Sequence, residues 1–131
     1  MQITVLSRLQ AMMFKCNEPW AAISIADANQ ECADLSSEYR VGLLQLRFDD
    51  IIDQGPTSFR PEQAVEIFRF VNDVRTKINL LLVHCAARIS RSPAVAAVLH
   101  RFMIDNDDSF YFRTYAPNAL VYRTMMEVGK L

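Results

Sequence analysis

Net charge is almost missing from this chain: fourteen Lys and Arg stand against fifteen Asp and Glu, a balance of −1 at neutral pH. Without a basic excess there is no electrostatic grip on a polyanion, which argues against nucleic acid as a partner. Long apolar runs are missing too, since no stretch approaches the roughly 20 uninterrupted residues of a membrane span. The opening segment, Met1 to Asn17, mixes Arg8, Gln10 and Lys15 among its apolar residues and shows no signal-peptide core. A cytoplasmic location and no membrane partner are therefore expected. Histidine is scarce: His84 and His100 are too few and too far apart to suggest a metal site, so no metal is expected. Cysteine is scarce as well. Cys16, Cys32 and Cys85 form no C-x-x-C pair, and their odd number suits a reducing compartment better than a disulfide framework.

What is present is apolar substance, 51% of the residues, enough for one well-buried core within the usual size of one domain, here residues 1–131. Ile3 to Leu6 reads as a short edge strand and Ser7 to Phe14 as a short helix. Ala21 to Ala26 reads as a buried strand ending at the turn and cap formers Asp27, Asn29 and Gln30. Val41 to Phe48 reads as a strand running into an acidic loop, Asp49, Asp50, Ile51, Ile52 and Asp53, closed by Gly55 and Pro56. From Pro61 to about Arg75, Ala64, Val65, Ile67, Phe68, Val71 and Val74 recur at helical spacing, with Pro61 suited to the first turn. Asn79 to Val83 is a continuous apolar run of the kind found in a central strand covered on both faces. Ser92 to Ile104 reads as the helix that follows it, and the aromatic tail from Asp107 to Glu127, broken at Pro117, as one or two more. Strands alternating with helices predict an α/β fold, a mostly parallel central sheet of four to five strands flanked by helices. Ligands of such sheets bind beyond the carboxyl ends of the strands, where Cys85 would sit.

The segment VHCAARISRSPA places Cys85 at that strand end, with five residues between it and Arg91, which Ser92 follows. A short loop between a buried strand and a helix N-terminus can turn successive backbone N–H groups inward, and the helix end adds partial positive charge. Ala86, Ala87, Arg88, Ile89 and Ser90 would form this anion cradle, together with Arg91. The thiolate of a cysteine at its rim would be favoured by the same dipoles and by Arg91, and the thiolate is the nucleophile. Arginine suits the clamp because its planar fork grips two phosphoryl oxygens at once. Ser92 is placed to donate its hydroxyl to the sulfur, and His84 to order the loop through its ring nitrogens.

Strand-H-C-x5-R-S-helix resembles the signature of the protein tyrosine and dual-specificity phosphatase superfamily, and the chain is similar to its small, compact bacterial members. The resemblance extends over LRFDD, the Pro-Glu-Gln-Ala start at Pro61 to Ala64, and the Tyr-x-Pro-Asn segment Tyr115 to Asn118. It implies a phosphate-monoester hydrolase working through a phosphocysteine intermediate, without a cofactor, on a phosphorylated protein or a small phosphate ester. It also implies a general acid on the loop after the LRFDD strand. Asp50 is the first choice for that role, with Asp53 and Asp49 as alternatives.

The chain departs from the family pattern at Arg88, where a glycine is usual. A non-glycine residue at positive φ is strained, so an impaired relative that binds phosphate or a phosphoprotein without hydrolysing it is the second reading. Sulfur transfer of the rhodanese kind is a third, disfavoured by the Cys-to-Arg offset and by Ser92. The aromatic residues Phe110, Tyr111, Phe112, Tyr115 and Tyr122 are expected to serve packing, and His100 and Arg101 to lie outside the site. Substrate identity and oligomeric state are not encoded in these motifs.

Overall fold

The run WAAISIA forms a strand, β2 (Trp20–Ala26), every residue of which is buried, as a strand covered on both sheet faces requires. The computed structural model describes all residues, 1–131, and orders them as β1 (Gln2–Ser7), α1 (Arg8–Met12), β2, β3 (Arg40–Arg47), α2 (Pro61–Val74), β4 (Leu80–Cys85), α3 (Arg91–Met103), α4 (Ser109–Thr114) and α5 (Ala119–Gly129). The sheet has four strands in the order β1-β4-β2-β3, and every neighbouring pair is parallel. The expected α/β architecture is thus observed, at the lower of the two strand counts.

Alternation along the strands divides the core. Ala21, Ile23 and Ile25 of β2 and Leu81, Val83 and Cys85 of β4 pack with Ile67 and Val71 of α2, Val95, Val98 and Leu99 of α3, and Val121 and Met125 of α5. Trp20, Ala22 and Leu82 point to the other face, against Ala11 of α1 and Leu35. Trp20 also donates its indole N–H to the Glu38 carbonyl at 2.7 Å, which satisfies the one polar atom of a fully buried ring.

α2 starts at Pro61 and turns Ala64, Ile67, Val71 and Val74 inward. Its buried Gln63 donates to the Arg47 carbonyl at 3.1 Å and accepts from the Arg60 N–H at 3.0 Å, pinning the helix start to the end of β3. The intervening acidic loop is anchored at both ends. Phe48 and Phe59 pack with their rings tilted and centroids 4.8 Å apart, and the Asp49 N–H donates to the Thr57 carbonyl at 2.8 Å.

The aromatic tail packs edge-on within itself, Phe110 against Tyr111 and Tyr115 and Phe112 against Tyr122, although Phe110 and Phe112 stay about half exposed while Tyr111 is buried. α4 spans only six residues, too short to bury all of its aromatic residues against α3. Asp27 is more than a turn former at the end of β2, as described below. No helix is long and apolar enough to cross a membrane.

Candidate active site

Register brings the strand ends together. Ser7 lies opposite Cys85 across the β1–β4 pair, and Ser24 lies opposite His84 across β2–β4. From there residues 86–90 form the loop that leads into α3. Three of the loop's carbonyls are bonded to the surrounding chain: Ala86 O accepts from Arg8 N–H at 3.1 Å, Ile89 O from Ala116 N–H at 3.0 Å, and Ser90 O from Ala94 N–H at 3.2 Å and Asn118 N–H at 3.0 Å. The N–H groups of Ala86, Ala87, Arg88, Ile89 and Ser90 donate to no protein acceptor. A loop whose five N–H groups are all free is a nest for an anion, and the first turn of α3 adds its own orphan donors.

Cys85 ends β4 with its side chain buried and its Sγ 3.0 Å from Ser92 Oγ. Arg91 is buried at the first position of α3. Its Nη1 donates to Asp27 Oδ1 and to the Phe48 carbonyl, each at 2.8 Å, while its Nε is buried without a protein partner. One corner of the guanidinium is therefore held by the ends of β2 and β3, leaving the Nε side of the fork available. Its side chain is only 4% exposed against 47% for Asp27, so the pair is partly desolvated and the charge is not left alone inside the protein.

His84 is fully buried. Nδ1 lies 3.3 Å from the Cys85 carbonyl and Nε2 lies 2.6 Å from Ser24 Oγ. A carbonyl only accepts, so Nδ1 carries the proton, and in the neutral ring Nε2 accepts from the Ser24 hydroxyl. Burial holds the imidazole below its ordinary value of 6.5, helped by the positive charges of Arg8 and Arg91, against the pull of the Cys85 carbonyl. Because the unfolded chain takes up this proton first, stability falls as the pH drops below about 6.5, by at most about 1.4 kcal/mol per pH unit. Urea midpoints measured from about pH 7.5 to 5.5 should show this decline, and His84→Gln should flatten it.

The acidic loop resolves into three different aspartates. Asp49 Oδ1 accepts from the Ala28 N–H at 2.9 Å, and this bond, with one from Thr57 and the field of Arg91, holds its carboxyl below the usual value. Asp50 is exposed but approaches the cradle: its Oδ1 accepts from Ser90 Oγ and from Asn118 Nδ2, each at 2.8 Å. Asp53 is exposed, with no hydrogen bond from its side chain to the loop network. Of the sequence candidates, Cys85, residues 86–90, Arg91, Ser92, His84 and Asp50 are thus brought together, Asp49 is turned toward Ala28, and Asp53 is left outside.

Arg88 is exposed and has φ 52°, the left-handed region. The loop therefore demands at this residue the conformation for which glycine is suited. Arg88→Gly is expected to raise stability by about 1 kcal/mol, read as a higher urea midpoint at unchanged m.

Sequence reasoning does not find Asp27, Ser24 or the Phe48 carbonyl as partners, and it places Asn118 only within the Tyr-x-Pro-Asn segment, with no role at the site. The available signal was position: Ser24 and Asp27 lie at the carboxyl end of a parallel strand, as Cys85 does.

No family model and no curated protein sequence matches the chain. Solved structures do. A structure of Tk-PTP in the active form superimposes with a TM-score of 0.66 at 13% identity, covering 98% of this chain and 92% of that one. A mouse protein described as a dual specificity phosphatase, complexed with zinc tungstate, gives 0.65 at 13% identity over 98% and 82%. The human tyrosine phosphatase-like serine/threonine/tyrosine-interacting protein gives 0.60 at 21% identity over 85% and 76%. The chain has the fold of the tyrosine and dual-specificity phosphatases.

Proposed function

We propose that the chain is a cysteine-dependent phosphate-monoester hydrolase. The observation that carries this reading is the loop itself: five backbone N–H groups free of protein acceptors, between the Cys85 sulfur and a buried Arg91 whose Nε is unpaired. The phosphoryl group sits in that cradle, its equatorial oxygens on the N–H groups and on the free side of the Arg91 fork. The Cys85 thiolate attacks phosphorus, an S–P bond forms, and the P–O bond to the leaving group breaks. Asp50 gives its proton to the departing oxygen. Water then attacks the phosphocysteine, Asp50 takes up the water's proton, and the S–P bond breaks to return the thiolate. The Ser92 hydroxyl, 3.0 Å from Sγ, donates to the sulfur as its charge returns. Asp27 and Phe48 act by holding Arg91 in place, and Ser24 by holding His84 beneath the loop. Tungstate, an oxyanion of phosphate-like shape, accompanies the mouse neighbour and supports an oxyanion site in this fold.

One observation favours a second reading, a phosphate-binding relative without turnover: the left-handed Arg88 in the middle of the cradle. The human phosphatase-like interacting protein has the same fold. The test is hydrolysis of para-nitrophenyl phosphate without added metal, by the native chain and by Arg88→Gly. Turnover by the native chain is expected. Silence in the native chain, with activity in Arg88→Gly, would establish the binding relative instead.

A further inference from the structure

We propose that Asn118 is the positioning residue for the acid step, holding Asp50 over the cradle from the N-terminus of α5; this rests on the phosphatase reading above. An N-cap asparagine ordinarily spends its side chain on the first turn of its own helix. Asn118 does that with one atom only, Oδ1 accepting from the Val121 N–H at 3.0 Å. Its Nδ2 reaches out of the helix to Asp50 Oδ1 at 2.8 Å and to the Ile51 carbonyl at 3.1 Å. Its backbone N–H donates to the Ser90 carbonyl at 3.0 Å. A residue 3% exposed thereby joins α5, the acid loop and the phosphate loop. Every polar atom that Asn118 presents to its surroundings is used.

Both side-chain donors to Asp50, Asn118 Nδ2 and Ser90 Oγ, land on Oδ1. That oxygen needs its lone pairs for them, so the transferable proton is confined to Oδ2. Asp50 is otherwise exposed, and Ile51 and Ile52 after it are exposed as well. Asn118 thus fixes both the place of the carboxyl group and which of its oxygens gives the proton. The helix N-terminus serves here as a bracket for the neighbouring loop.

The experiment compares phenyl phosphate, whose leaving oxygen needs a proton, with dinitrophenyl phosphate, whose leaving group departs without one. Asn118→Ser and Asn118→Asp both keep an oxygen for the cap and lack the Nδ2 donor. Each is expected to lower kcat on phenyl phosphate by about 10- to 100-fold with KM near native, while the dinitrophenyl ester stays within about 2-fold. The basic limb of the phenyl phosphate pH profile should flatten in the same variants. An equal loss on both esters, with a lower Tm, would reduce Asn118 to a structural cap and overturn the proposal; so would native kcat on phenyl phosphate. A native chain inactive on both esters would overturn the phosphatase reading itself, and this one with it.

Discussion

Cys85→Ser is expected to abolish turnover of para-nitrophenyl phosphate, lowering kcat by about 10⁴-fold or more, while phosphate or tungstate binding largely survives. The asymmetry follows from how the site is built. The cradle's donors are backbone N–H groups of residues 86–90 and the Arg91 fork, none of which belongs to the cysteine side chain. In the proposed mechanism, replacing sulfur by oxygen removes the polarisable nucleophile and leaves the anion site standing. Stability should move little, because the new hydroxyl keeps a partner in Ser92, whose Oγ is 3.0 Å from Sγ in the native protein. Isothermal titration with tungstate, beside the rate assay, separates the two effects. Retained turnover would remove Cys85 from the chemistry, and lost tungstate binding would mean that the sulfur is part of the cradle.

What could be read from the sequence divides along the range of the interactions. β4 and its loop were legible because the signal is local: a short apolar run, a cysteine, and the Ser-Pro start of a helix fall within a few residues. α2 was legible for a similar reason, its buried Ala64, Ile67, Val71 and Val74 repeating at the helical period behind Pro61. β3 was placed, but its status as an edge was not. Its alternating exposure, with Val41 half exposed, follows from strand order, which no single strand encodes.

The partners of the site are long-range, and pattern reasoning fails there for that reason. Arg91 meets the Phe48 carbonyl across 43 positions, and Asn118 meets Asp50 across 68. No spacing rule links such residues; only the parallel sheet, which gathers the carboxyl ends of β2, β3 and β4, does so. The choice among Asp49, Asp50 and Asp53 was open for the same reason. Three carboxylates in one acidic stretch differ in what they face, and only the folded loop turns Asp49 toward Ala28 and Asp50 toward Ser90. Arg88 is the opposite case. The loop pattern marked the residue as out of place, and its φ of 52° locates the strain where that pattern placed it.

Arg91→Lys is the substitution with the next largest expected effect, although charge is conserved. The native guanidinium divides its work: Nη1 is fixed by Asp27 and the Phe48 carbonyl, each at 2.8 Å, and the Nε side is left free. A lysine ammonium is a single point with three donors and cannot satisfy both sets of partners from one position. If it stays with Asp27 and Phe48 O, the phosphoryl oxygens lose their fork; if it turns to phosphate, the half-exposed Asp27 carboxylate and the buried Phe48 carbonyl lose their donor. Removing one preorganised donor from a developing anion typically lowers rates by about 10² to 10³-fold, so losing a bidentate clamp should reduce kcat/KM by at least about 10³-fold. The loss should appear in KM as well as kcat, since in the proposed mechanism the same fork holds the ground-state phosphate. Asp27→Asn provides the graded comparison. It keeps an acceptor for Nη1 while removing the ion pair, and it should retain most of the phosphate affinity that Arg91→Lys forfeits. Steady-state rates and tungstate affinity for the two variants test the division directly: near-native kcat/KM in Arg91→Lys would show that charge alone suffices at this position, and that the geometry of the fork is not what the site uses.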